Sequence, residues 1–176
     1  GSNTLEGGAG NDILSGAGGN DTVSYASASA GVTVNLATVL AQNTVGAGTD
    51  TLSSFENILG SAFNDTLTGD LNANTLDGGA GDDVLTGGAG ADTLIGGTGT
   101  NTASYSTAAS AVTANLTTGS GTLGDANGDT FSGIQNLTGS NFNDNLTGDA
   151  NANVLDGGLG NDTLTGNAGN DTLDVR

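Results

Sequence analysis

A nine-residue pattern recurs along this chain, and it restricts the fold more than any other feature. Gly78–Thr86 reads GGAGDDVLT, Gly87–Ile95 reads GGAGADTLI and Gly96–Ser104 reads GGTGTNTAS. The same frame holds at Gly7–Ser15, Gly16–Ser24, Gly157–Thr165 and Gly166–Asp174. Looser copies run from Gly60 to Asp77 (GSAFNDTLT, GDLNANTLD) and from Gly139 to Asp156 (GSNFNDNLT, GDANANVLD). Eleven copies of nine residues account for 99 of 176 positions. A longer period lies above the short one. Tyr25 matches Tyr105 and Asn35 matches Asn115 at an offset of 80. The chain therefore reads as one continuous solenoid over 1–176, with duplicated units at about 3–82 and 83–162 and a partial third at 163–176. Each unit carries an insert, at 25–59 and 105–138.

The first six residues of each repeat form a Gly-rich turn, and the last three a short strand. Position 8 is Leu14, Val23, Leu67, Leu76, Leu85, Leu94, Leu146, Leu155, Leu164 and Leu173, with Ala103 the exception. Alternation along a strand turns position 8 inward and positions 7 and 9 outward. One nonapeptide cannot close a coil with two walls, whereas two can, as strand, turn, strand, turn. Residues 18 apart then stack at the strand spacing of ~4.8 Å. Asp65 falls beneath Asp83, Asn74 beneath Asp92, Asp83 beneath Asn101, Asp144 beneath Asp162 and Asn153 beneath Asp171, with Asn3 and Asp21 a further pair. Two carboxylates at that spacing repel by roughly 3–4 kcal/mol at an effective dielectric of ~20. Such a column calls for a cation. Ca²⁺ binds oxygen at ~2.3–2.6 Å, so one ion between two coils matches the strand spacing.

Composition narrows the cation and the partners. Asp and Glu number 19 against a single basic residue, Arg176, for a net charge of −18. That argues against phosphate-binding surfaces for nucleic acid and against attraction to an anionic membrane. The absence of His and Cys disfavours Zn²⁺ and Cu²⁺ and rules out disulfides. Mg²⁺ demands tighter octahedral geometry and keeps its waters. No apolar run is long enough to span a membrane, and no signal peptide is visible. Low hydropathy with high charge ordinarily means disorder, but here the apolar residues keep a fixed register. No His, Cys or Lys is present as base or nucleophile, and the acids have a repeating structural role, so no catalysis is expected. With no Met anywhere, the chain reads as a piece of a longer protein.

The frame G-G-x-G-x-D-x-U-x, with U a large apolar residue, resembles the RTX, or hemolysin-type, calcium-binding repeat. The resemblance implies an all-β, right-handed parallel β-roll with two nonapeptides per coil, holding about 4–6 calcium ions. It also implies a ligand rule. The earlier turn supplies carbonyls of positions 2 and 4 with its Asp; the turn 18 residues later supplies carbonyls of positions 1 and 3 with its Asp. Carried over, one site is Gly79, Gly81 and Asp83 with Gly96, Thr98 and Asn101. Another is Ser61, Phe63 and Asp65 with Gly78, Ala80 and Asp83. On the same rule the candidates extend to Gly87, Ala89, Gly157, Leu159, Gly166 and Ala168, and to the acids Asp12, Asp21, Asp92, Asp144, Asp162 and Asp171. Asn3, Asn74, Asn101 and Asn153 stand where the family has Asp, giving neutral ligands. Ser61, Phe63, Ser140 and Phe142 replace turn glycines.

The inserts, 35 and 34 residues long, are close to two coils each and are expected to continue the roll as irregular coils. Tyr25, Tyr105, Phe55 and Phe131 are expected to fill a wider core there, and Asp125, Asn127 and Asp129 to form a polar turn. Proteins with RTX-like repeats are typically exported unfolded through type I secretion, which implies an extracellular or cell-surface location. Two roles fit: a structural unit of an adhesin or surface layer, or a folding and stability module of a secreted enzyme or toxin. The ends are expected to abut flanking repeats or to self-associate.

Overall fold

A computed structural model describes all residues from Gly1 to Arg176. Its strands are short because each repeat spends six residues turning. In the first unit they are β1 (Thr4–Leu5), β2 (Ile13–Ser15), β3 (Thr22–Ser24), β4 (Thr33–Asn35), β5 (Gln42–Asn43), β6 (Thr49–Ser53), β7 (Asn57–Leu59), β8 (Thr66–Thr68) and β9 (Thr75–Asp77). The second holds β10 (Val84–Thr86), β11 (Thr93–Ile95), β12 (Thr102–Ser104), β13 (Thr113–Asn115), β14 (Ser120–Leu123), β15 (Thr130–Ser132), β16 (Asn136–Thr138), β17 (Asn145–Thr147) and β18 (Val154–Asp156). Then follow β19 (Thr163–Thr165) and β20 (Thr172–Asp174). The only helical element is a 3-10 turn at Gly124–Ala126, so no helix is long and apolar enough to cross a membrane.

Successive repeats alternate between two walls, which makes the chain a parallel β-roll. The first wall runs β1-β3-β7-β9-β11-β15-β14-β13-β17-β19. The second runs β2-β6-β5 and then β4-β8-β10-β12-β16-β18-β20, the two parts meeting where Val32 bridges Val45. Within the repeat tracts the register is 18: Thr66 opposes Val84, Thr75 opposes Thr93 and Asn145 opposes Thr163. Leu67, Leu76, Leu85, Leu94, Leu146 and Leu155 are fully buried between the walls. Each contributes ~2–3 kcal/mol by leaving water.

The inserts do not make two further coils, as their lengths suggest. Each is one coil whose chain crosses the same wall three times. After β3 on the first wall, β4, β5 and β6 lie side by side on the second, with β5 antiparallel to β6, and β7 returns to pair with β3. After β12 on the second wall, β13, β14 and β15 lie on the first, and β16 returns to pair with β12. The two inserts thus widen opposite walls. Seven wall crossings separate β3 from its counterpart β12, an odd number, so the second unit sits half a coil out of phase with the first. Tyr25, Tyr105 and Phe55 are buried there, whereas Phe131 is only half-buried.

Candidate metal centres

Turns stack along the two edges of the roll, and their fifth and sixth residues tie them together. The amide of each sixth residue donates to the sixth side chain of the coil above: Asp65 to Asp83 Oδ1 (2.8 Å), Asn74 to Asp92 Oδ1 (2.8 Å) and Asp144 to Asp162 Oδ1 (2.9 Å). Asp83 to Asn101, Asn153 to Asp171 and Asn3 to Asp21 follow the same rule. The fifth residues bond in the opposite sense, the Asp82 amide donating to Asn64 and the Thr100 amide to Asp82. The stacked acids expected from the sequence are therefore neighbours. They do not confront each other bare, because an N–H lies between each pair.

The ladder has rungs that the sequence reading missed. Asp12 donates to Asp50, Asp21 to Glu56, Asp92 to Asp129 and Asn101 to Gln135. Asp129 is thus a buried rung and not part of a polar surface turn. A signal was present: Asp50-Thr51-Leu52 and Asp129-Thr130-Phe131 repeat the D-x-U ending of the nonapeptide. VGAGTDTLS (45–53) and GDANGDTFS (124–132) are degenerate repeats inside the inserts.

Apart from Glu56 and the end rung Asp171, which are not fully buried, one carboxylate oxygen of each acid is used by the ladder and the other meets one of three fates. In turns 60–65 and 139–144 a serine takes it. The Ser61 amide donates to Asp65 Oδ2 (2.6 Å) and its hydroxyl to Oδ1 (2.7 Å), and Ser140 does the same for Asp144. In the inserts a tyrosine takes it, Tyr25 donating to Asp50 Oδ2 (3.2 Å) and Tyr105 to Asp129 Oδ2 (2.7 Å). At Asp12, Asp21, Asp83, Asp92 and Asp162 the second oxygen is buried with no partner.

A buried, unpaired carboxylate oxygen is costly unless a cation meets it. Burial pushes the Asp83 carboxyl up, and that of Asp92 up to about 7. The protein has no cation to offer, since its one basic side chain, Arg176, pairs with Asp156 and Asp174 at the far end. No three acidic side chains converge, so any ion must draw most of its oxygens from backbone carbonyls. The turns supply them. The position-1 glycine has no side chain because its sixth residue's oxygen occupies that space, as Asp83 Oδ2 does at Gly78 and Asp92 Oδ2 at Gly87. At Gly60 the same space also receives the Gly78 and Asp77 carbonyls from the next coil.

Turns 78–83 and 96–101 run parallel, Ala80 bridging Thr98. The Gly79 carbonyl accepts from the Thr98 amide and the Thr98 carbonyl from the Gly81 amide, both at 2.9 Å, and each keeps a second lone pair. A hard, oxygen-only donor set of carboxylates and carbonyls fits Ca²⁺. The structure brings together Gly79, Gly81, Asp83, Gly96, Thr98 and Asn101. At Asn101, however, the amide Nδ2 already donates to the Gly133 carbonyl.

A family model described as the RTX calcium-binding nonapeptide repeat matches the chain in four copies, at residues 1–27, 53–85, 68–103 and 138–173. No curated protein matches it. The matched segments cover more than half of the chain and coincide with the stacked turns, so this protein is a calcium-binding repeat module and belongs to the RTX nonapeptide repeat family.

Proposed function

We propose that this module is a structural segment of a secreted or cell-surface bacterial protein, of the adhesin or surface-layer kind, that folds only once it meets extracellular calcium. The observation that carries the reading is the set of five buried carboxylate oxygens without a partner, in a chain of net charge −18. Without calcium those charges oppose a core only one side chain deep. With calcium, an ion at each partnerless oxygen joins a turn to its neighbour in the next coil, and binding free energy becomes folding free energy.

Extracellular calcium modules bind at ~10⁻⁴–10⁻³ M, so a chain of this kind stays unfolded where calcium is scarce and folds where it is plentiful. Export in the unfolded state through a type I secretion system suits that behaviour. The ligands in this reading are the partnerless acids with the carbonyls of positions 1 to 4 of the turns stacked on them. The test is circular dichroism during a calcium titration of EDTA-treated protein, with Mg²⁺ as control. A cooperative, calcium-specific transition from coil to β is expected. A β spectrum indifferent to EDTA would overturn the reading.

A further inference from the structure

The nonapeptide turns divide at one backbone angle. Where the sixth residue's oxygen is left without a partner, the second residue of the turn is left-handed: Gly8 at φ 83°, Ala17 at 65°, Gly79 at 90°, Gly88 at 97° and Gly158 at 79°. Ala17 holds this angle at a cost of roughly 1–2 kcal/mol, so the conformation does not simply follow from glycine being present. Gly97 (80°) and Asn167 (67°) share the angle, the first in a turn whose sixth residue is the neutral, hydrogen-bonded Asn101 and the second in the end turn, where Asp171 is not fully buried. In the other four turns the second residue is Ser61, Asp70, Ser140 or Asp149, and none of these has a positive φ.

The angle decides where the second amide points. At Gly79 and Gly158 it turns back to the side chains of Asp77 (3.1 Å) and Asp156 (3.0 Å), outside the turn. At Ser61, Asp70 and Asp149 it points into the turn and donates to the sixth side chain, at 2.6 Å to Asp65, 2.7 Å to Asn74 and 2.8 Å to Asn153. An N–H occupying that oxygen stands where a cation would approach it.

We propose that the residue at the second turn position gates calcium: the left-handed turns of Asp12, Asp21, Asp83, Asp92 and Asp162 load an ion, and the Ser61, Asp70, Ser140 and Asp149 turns are closed by their own amides. The insert acids Asp50 and Asp129 are closed by Tyr25 and Tyr105 in the same way. The module is thus a mosaic of metal-loaded turns and turns in which the protein's own donors replace the metal. This rests on the calcium reading above.

The experiment is a count of bound calcium per chain, by native mass spectrometry with equilibrium dialysis as check. It compares the full chain with Ser61→Gly/Phe63→Gly, Asp83→Asn and Asp129→Asn. The double substitution turns 60–65 into GGAGND, the sequence of turn 7–12. It should gain one ion, since Asp65 Oδ2 would be released beside the Gly78 carbonyl. Asp83→Asn should lose one ion, and Asp129→Asn should keep the full number. Absence of a gain in the double variant, or a loss in Asp129→Asn, overturns the gate even if the chain binds calcium. A chain that binds none overturns the calcium reading itself. Should Asp83→Asn fail to fold, the gain in the double variant still decides the matter.

Discussion

The two inserts reach the same end by different loops. In the first, a short strand, Gln42–Asn43, carries the reversed pass, and its tip exposes Val39 and Leu40. In the second, Ser120–Leu123 and a 3-10 turn do the same work. Both place a tyrosine hydroxyl on a buried acid, but the first adds a second hydroxyl, Thr44 Oγ1, whose one proton is shared between Asp50 Oδ2 and the Gly48 carbonyl, each at 3.1 Å. The second relies on one short bond, Tyr105 to Asp129 at 2.7 Å. Apolar volume is also redistributed, Val34 with Leu52 in one insert and Ala114 with Phe131 in the other. What both inserts share is satisfaction of the buried acid; the donor count and the loop are free to vary.

The largest difference should come from removing the hydroxyls. Tyr105→Phe strips Asp129 Oδ2 of its only side-chain donor and should cost about 2–3 kcal/mol, as a bond to a charged group does. Tyr25→Phe leaves Thr44 in place and should cost about 1 kcal/mol. Urea midpoints in saturating calcium measure both, and equal losses would remove the distinction between the locks. Next, Val34→Ala should cost about 2 kcal/mol by leaving a cavity. Ala114→Val should bring no gain, because Ala114 is fully enclosed and overpacking is itself destabilising. A stabilised Ala114→Val would show that the second insert is underfilled.

A smaller effect belongs to the corners that end the inserts. Gly133 at φ 66° and Ser54 at φ 55° occupy matching left-handed positions. Ser54→Gly should recover about 1 kcal/mol or less in thermal melts; Gly133→Ser is not its mirror image, because a Cβ there would also meet the Gly97 backbone N and O at 2.9 Å.

The mildest change is expected with pH in calcium-free buffer. Burial raises the carboxyls of Asp83, Asp92 (to about 7) and Asp129 above their unfolded values. A group raised on folding stabilises the fold fully below its unfolded pKa and loses that contribution as pH rises through the folded value. The metal-free chain should therefore gain β signal as pH falls from about 8 to about 5. A signal that is flat, or that falls over this interval, would mean that these carboxyls are not titrating in a folded state.

The roll was legible in the sequence because its information is local. The Leu row, the turn glycines and the 18-residue register all follow from residues nine apart. The path of the inserts was not. A length of 35 is nearly two coils, and nothing within nine residues says that Ile13 will oppose Thr51, 38 positions on. Tyr25 and Tyr105 were legible as core residues but not as donors, since their partners Asp50 and Asp129 lie 25 and 24 residues away. Ser61 was visible as a departure from glycine. Its consequence became visible only with the direction of its amide.

The odd number of wall crossings per unit has a mechanical consequence. Two extra strands on one wall would bow a solenoid toward the other, and a second unit in the same phase would deepen the bow into an arc. Here the next unit inserts its two strands on the opposite side, so each wall ends with ten strands, and the two bows should oppose each other. A tandem series of such units would be a straight, staggered rod. Its true period would be two units, with swellings facing left and right in turn.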